Sequence, residues 1–204
     1  MAYIFEYIRS IVGKDYFTKK LHDNEAGIFY DLGSGTGKAV IAMALLCPLK
    51  KLVGIELLKG LWDLSMRSRF AYYQNISNKF MKFNDIFSIE RTNEIEFYNG
   101  DFMRQKWTDA AIVFANSTCF SDDLMFKIGI KAMFECKVDC ILITISKKLK
   151  NLNDDWECKE DFKRMMSWGL GSVYNYIRRK ITVIICYSNN LKAHNLFKDI
   201  FLYH

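Results

Sequence analysis

The sequence holds a single proline, Pro48, in 204 residues, so no proline-rich linker separates one part of the chain from another. It also lacks internal repeats and low-complexity tracts, and it reads as one unit. Its three histidines, His22, His194 and His204, stand far apart. Its six cysteines (Cys47, Cys119, Cys136, Cys140, Cys158 and Cys186) include no CxxC pair. Cys136 and Cys140, four apart, are a poor basis for a zinc site, and no metal is expected. Such cysteine usage fits a reduced, intracellular protein of the nucleus or cytoplasm. Long apolar runs are missing as well. The N-terminal residues interleave Glu6, Arg9 and Lys14 with apolar ones, so neither a signal peptide nor a membrane helix is expected, and no membrane partner. Charge of one sign is only mildly in excess, at +6. Lys147, Lys148 and Lys150, and again Arg178, Arg179 and Lys180, read as strand ends or solvated faces, with an acidic partner as the other reading.

What the chain does have is apolar mass. Hydrophobic residues make up 50%, with 16 Phe and 11 Tyr, which is enough for one packed domain. The recurring pattern is strand, turn, helix. Ile28 to Tyr30 run into Asp31-Leu32-Gly33-Ser34-Gly35-Thr36-Gly37, and a helix follows from Lys38 to Leu46, stopped near Pro48. Leu52 to Ile55 form a second strand closed by Glu56, and Leu57 to Met81 repeat apolar residues at helical intervals. Ile95 to Tyr98, Ala111 to Ala115 and Cys140 to Ile145 read as further strands. Asp122 and Asp123 are candidate caps of a helix continuing through Met133. Gly171 to Ile177 and Ile181 to Tyr187 read as a closing antiparallel pair. The expected fold is α/β: a Rossmann-like, doubly wound, mainly parallel seven-strand sheet ending in an antiparallel hairpin, with helices on both faces. Residues 1–26 are expected to be a helical segment packed on a core domain of residues 27–204.

Ligands of such sheets bind beyond the C-terminal strand ends, where the unusual loops of this chain fall. Three nucleotide readings compete for the glycine turn. A phosphate-binding P-loop needs GxxxxGK and then Ser or Thr. Here Gly37-Lys38 comes one residue early and Ala39 follows, so the magnesium hydroxyl is missing. A dinucleotide turn needs its third glycine where Lys38 stands, and a lysine hinders the close helix packing. The third pattern, Asp-x-Gly-x-Gly-x-Gly, suits S-adenosylmethionine, which has no phosphate. Gly33, Ser34, Gly35 and Gly37 would approach its methionine portion, and Asp31 its ammonium. Glu56, with Leu57 beside it, would accept the ribose hydroxyls, and Asp101 and Phe102 would meet the adenine. Each acid alone has a bland reading as a turn residue or helix cap. Three at successive strand ends make coincidence a poor explanation.

With those residues in place the chain resembles the non-SET histone-lysine methyltransferases, the disruptor-of-telomeric-silencing family, from about Ile28 to Tyr187. Asp31 to Gly37 is similar to that family's cofactor loop, Glu56-Leu57 to its ribose position and Asp101-Phe102 to its adenine position. Phe114-Ala115-Asn116-Ser117-Thr118-Cys119-Phe120 is similar to the motif in which an Asn and a Phe line the methyl-transfer channel. Ser167-Trp168 and Val173-Tyr174-Asn175-Tyr176 are similar to a stretch that walls the lysine channel. The resemblance implies methyl transfer to a protein lysine, with a histone or nucleosome as partner, S-adenosylhomocysteine as product, and Asn116, Phe120, Tyr174 and Tyr176 at the reacting end, Asn116 orienting the amine or holding the cofactor through its amide. Three departures are visible: Lys38 is charged, Val12-Gly13-Lys14 is a degenerate counterpart of the upstream Tyr-Gly-Glu closing segment, and no long basic tail is present. A non-catalytic adenosylmethionine-binding module and a methyltransferase acting on a non-histone protein, RNA or a small molecule are the alternatives.

Overall fold

The computed structural model describes residues 27–47, 49–77, 93–166 and 169–179. Strands β1 (Ile28–Leu32), β2 (Lys51–Glu56), β3 (Glu94–Asn99), β4 (Ala110–Asn116), β5 (Ile141–Ile145), β6 (Trp156–Met166) and β7 (Gly169–Arg178) form one sheet in the order β3-β2-β1-β4-β5-β7-β6. The first five pair in parallel, and β7 runs antiparallel to both β5 and β6. The central strands read as continuous apolar runs because both of their faces are covered: every residue of β5 is buried.

Helices α1 (Lys38–Leu46) and α2 (Lys59–Ala71) pack on one face and α3 (Asp122–Glu135) on the other. On the first face Val40 and Met43 of α1 meet Phe29, Leu52, Ile95 and Phe114. On the second, Met125 and Ile128 of α3 meet Leu32, Ile55, Val113 and Leu142. Phe114 and Trp107 are fully buried, and truncating either to Ala removes about 3–5 kcal/mol by the usual cost of a large aromatic cavity.

Four details differ from the sequence reading. The helix expected over Leu57 to Met81 begins at Lys59 and ends at Ala71, passing into a π-helical turn at Tyr72–Ser77; Met81 lies outside the described residues. The α3 cap is Ser121, whose Oγ accepts from the Leu124 N–H, while Asp122 and Asp123 occupy the first turn, where the helix dipole favours negative charge. The described hairpin joins β7 to β6, where the sequence reading pairs β7 with Ile181 to Tyr187, which lie outside the described residues. Register pairs Ile177 with Ile141 on one side and with Glu157 on the other, so both edges of β7 are taken. Finally, Arg178 does close a strand, β7, but is 3% exposed rather than solvated. It lies beside buried Asp155, stacks on Trp156 and donates to the Cys136 carbonyl. The 1–26 segment, Ile181 to Tyr187, Lys180, Cys186 and the three histidines lie outside the described residues.

Candidate functional site

β1 has β2 on one side and β4 on the other, so the chain reverses its winding direction there. A crevice opens at such a switch point between the loops leaving the two strands. Here those loops are Gly33–Gly37 after β1 and Asn116–Phe120 after β4.

The glycine turn is fastened from below. The N–H groups of Gly33 and Ser34 both donate to the Ile55 carbonyl, at 2.9 and 3.0 Å, and the Gly37 N–H donates to Ser34 O at 2.9 Å. Gly33, Gly35 and Gly37 have φ of 75°, 55° and 80°, the left-handed region that a side chain makes costly. A Cβ on Gly37 would press into the Phe97 ring at 2.5 Å, and one on Gly33 would meet Phe120 at 3.1 Å. At Gly35 a Cβ would meet nothing within 4 Å. The turn is packed underneath and open above Gly35.

Two acids face this turn. Asp31, at the end of β1, is 2% exposed. Burial, and then the charge of Glu56, push its carboxyl from 3.8 up to about 8. Glu56, at the end of β2 and 7% exposed, accepts from the Gly35 N–H through Oε2 and from the Leu58 N–H through Oε1, both at 2.8 Å. Each of its oxygens keeps a second lone pair. Ser34 Oγ is buried against the Gly54 position and has no hydrogen-bond partner among the described residues.

The ends of β2 and β3 are tied by Asn99, whose Nδ2 donates to the carbonyls of Glu56 and Leu57. Leu57 is 67% exposed, an apolar side chain standing free at the strand end. Asp101 Oδ1 accepts from the Met103 N–H at 2.8 Å. Phe102 stacks on Phe120 with ring centres 5.6 Å apart and leans on Trp107 at 6.4 Å. Phe120 thus touches the β3 loop through Phe102 and the β1 loop at Gly33.

Asn116 Oδ1 accepts from Thr118 Oγ1 at 2.9 Å, and Thr118 Oγ1 lies 2.9 Å from Ser146 Oγ. This fixes the amide orientation and leaves one carbonyl lone pair for another donor. Ser146, at φ 76°, follows β5 and lines a cavity with Tyr174. Asn116 is thus linked through Thr118 and Ser146 to the cavity that Tyr174 lines, while Phe120 packs against Gly33 and Phe102. Tyr176 is placed otherwise. It is 2% exposed, its hydroxyl accepts from the Leu149 N–H at 2.9 Å, and burial raises its pKa. It supports the loop after β5 from within the core. Ser167, Trp168 and Val12 to Lys14 lie outside the described residues.

Sequence reasoning missed Asn99, Phe97, Thr118 and Ser146. The signal for the first was weak but present, since Asn99 immediately precedes Gly100-Asp101. Phe97 looks like any strand aromatic until the glycines above it are seen to lack the atoms it would strike. Among the described residues no group of three His, Cys, Asp or Glu could hold a metal, and no helix is long and apolar enough to cross a membrane. Cys136 and Cys140 are buried free thiols; contact with Cys136 and burial push the Cys140 thiol up.

Among solved structures, the chain is similar to an RNA methyltransferase from Salinibacter ruber in complex with S-adenosyl-L-homocysteine. That match has TM-score 0.53 and 17% identity, covering 84% of this chain and 95% of the other. It is similar to TrmN from Thermus thermophilus with TM-score 0.55 and 11% identity, over 80% of this chain and 48% of that one. At such identities the likeness establishes the fold. In sequence it is 31% identical over 122 residues to the Caenorhabditis elegans protein "Histone-lysine N-methyltransferase, H3 lysine-79 specific", over 57% of this chain. It spans 12% of that relative's length. The pattern of the histone methylation protein DOT1 family matches residues 13–170, most of the chain. The chain belongs to the histone methylation protein DOT1 family.

Proposed function

We propose that the protein is an S-adenosylmethionine-dependent methyltransferase acting on a protein lysine ε-amine, with a histone as its substrate and S-adenosylhomocysteine as product. The observation that carries the cofactor is the acid pair. Asp31 and Glu56 stand buried at adjacent strand ends beneath a turn that is open above Gly35. The carboxylate of Glu56 repels a pyrophosphate and suits hydroxyl donors, and a ligand cation beside Asp31 would draw off the proton that burial leaves on it. The donor set therefore fits S-adenosylmethionine and opposes the two phosphate-binding alternatives. The protein-lysine acceptor is supported by family membership and by the name of the C. elegans relative.

When bound, S-adenosylmethionine supplies an electrophilic methyl group on a sulfonium. Asp31 would carry the charge opposite the ammonium, Glu56 would accept ribose hydroxyls through its remaining lone pairs, and Asp101, Phe102 and Leu57 would border the adenine. Gly33, Ser34, Gly35 and Gly37 would form the floor. Asn116 would hold the incoming amine through its remaining carbonyl lone pair, so that geometry supplies most of the acceleration. A free lysine has a pKa of about 10.4 and is protonated at neutral pH. The rings of Phe120 and Tyr174 would strip water from it and favour the neutral, nucleophilic form.

The test is transfer of tritium from labelled S-adenosylmethionine to nucleosomes, free histones and cell lysate. Wild type is expected to label a histone at lysine. Gly35→Arg fills the open space above the turn and is expected to abolish cofactor binding by calorimetry. Asn116→Ala is expected to keep most of that binding and to lose about 10²-fold in turnover, the scale of a misplaced nucleophile. Undiminished activity in Gly35→Arg would sink the cofactor assignment, and label on another protein would replace the histone.

A further inference from the structure

After β5 the chain runs Ser146-Lys147-Lys148-Leu149-Lys150-Asn151 across α3 and walls a cavity of about 360 Å³. Its three lysines line the space with Asp122 and Phe126 of α3 and Tyr174 of β7. Building on the lysine-methylation reading above, we propose that this cavity receives an acidic side chain of the methyl-accepting protein, one that lies close in sequence to the target lysine.

The lysine run is held in place from several directions. Leu149 is 4% exposed, and its N–H donates to Tyr176 Oη, so Lys148 and Lys150 on either side of it point outward and are exposed. Thr144 Oγ1 donates to Lys147 O, and the Lys147 N–H donates to Ser117 Oγ. Asn151 Nδ2 donates to Phe126 O on α3, and its amide occupies the space that a Cβ on Gly129 would need.

Charge decides the ligand's sign. Lys147 is paired with Asp122 at 2.7 Å. Lys148 and Lys150 form no ion pair among the described residues, which leaves two cations at one mouth. Shape decides its class. A concavity of about 360 Å³, with Met125 and Phe126 as apolar wall, is large enough for an acidic side chain together with the peptide residues next to it. A duplex backbone offers a row of phosphates to a broad basic face, which a single concavity does not supply. Position decides the partner. Ser146, which lines the cavity, touches Thr118, and Thr118 donates to Asn116 at the reacting end. A residue anchored here belongs to the same segment as the accepting lysine.

The experiment uses three fluorescein-labelled dodecapeptides with a central lysine flanked by Asp, Ala or Arg, and a 20-base-pair duplex. Binding to the S-adenosylhomocysteine-saturated chain is read by anisotropy at low salt. The Asp-flanked peptide is expected to bind at least tenfold tighter than the Ala-flanked one. Lys148→Glu/Lys150→Glu, on exposed positions, should erase that preference while calorimetric cofactor binding stays unchanged. Asp122→Asn, which frees Lys147, should tighten the Asp-flanked peptide a few-fold. Equal binding of the three peptides, or a preference that survives the double charge reversal, overturns the proposal. So does duplex binding that the reversal abolishes while the peptides remain unranked, which assigns the lysines to nucleic acid. If the peptide ranking holds and no tritium reaches any peptide or histone, the methyl-transfer reading falls and the docking site stands.

Discussion

Burial and the charge of Glu56 raise the Asp31 carboxyl from 3.8 to about 8, so in the free protein it is mostly protonated at neutral pH. The folded state therefore holds a proton that the unfolded chain releases above about pH 4. Its contribution to stability is fully present below pH 3.8 and is lost progressively as pH rises towards 8. A ligand ammonium beside Asp31 reverses the preference and expels the proton. Cofactor binding near pH 7 should thus release close to one proton and tighten as pH rises to about 8. Calorimetry in buffers of different ionisation enthalpy measures this directly, and Asp31→Asn should bind more weakly with the release abolished. Equal proton release by wild type and Asp31→Asn would remove Asp31 from the site. The position of Asp31 was legible in the sequence as a strand-end acid before a glycine turn. Its protonation was not, because that depends on β1 lying beside β2, with Asp31 opposite Gly54 and Glu56 two residues on.

Along the elements, α3 carries a test of packing against propensity. Gly129 lies within this helix, where Ala would gain about 1 kcal/mol by intrinsic preference. The added Cβ would collide with the Asn151 amide. Gly129→Ala should therefore lower the denaturation midpoint rather than raise it, and in an Asn151→Gly background the same change should stabilise. A double-mutant cycle in urea reads the coupling, expected at about 1–3 kcal/mol for residues in direct contact; additive changes would show that the amide simply moves aside. β6 shows why one element was misread. Its sequence, Trp-Glu-Cys-Lys-Glu-Asp-Phe-Lys-Arg-Met-Met, is dense in charge, as suits a strand at the edge of the sheet among the described residues, where charge discourages pairing with other chains. Apolar runs reveal central strands, so the charged stretch Trp156 to Met166 was passed over in the sequence.

For the whole molecule, a mainly parallel sheet with helices on both faces was legible because strand, glycine turn and helix alternate and each parallel crossover permits few arrangements. The meeting of Phe120 with Gly33 and Phe102, and of the lysine run with α3, was not legible. Those contacts join segments far apart in sequence and depend on the twist of the finished sheet. A ligand seated across the switch point touches both halves of the sheet and should stabilise the fold as one cooperative unit. At a hundredfold excess over Kd the gain is about 2.7 kcal/mol by mass action. S-adenosylhomocysteine should raise the single melting transition by several degrees, with no shift in Gly35→Arg.

The Ile55 carbonyl receives two amides at once, those of Gly33 and Ser34. Neither can meet solvent while the turn lies on β2, and lifting the turn frees both. In deuterium oxide the two amides should share one protection factor, set by that single opening. Bound S-adenosylhomocysteine should slow both by the same factor, making this pair of protons a clock for how often the empty cradle comes undone.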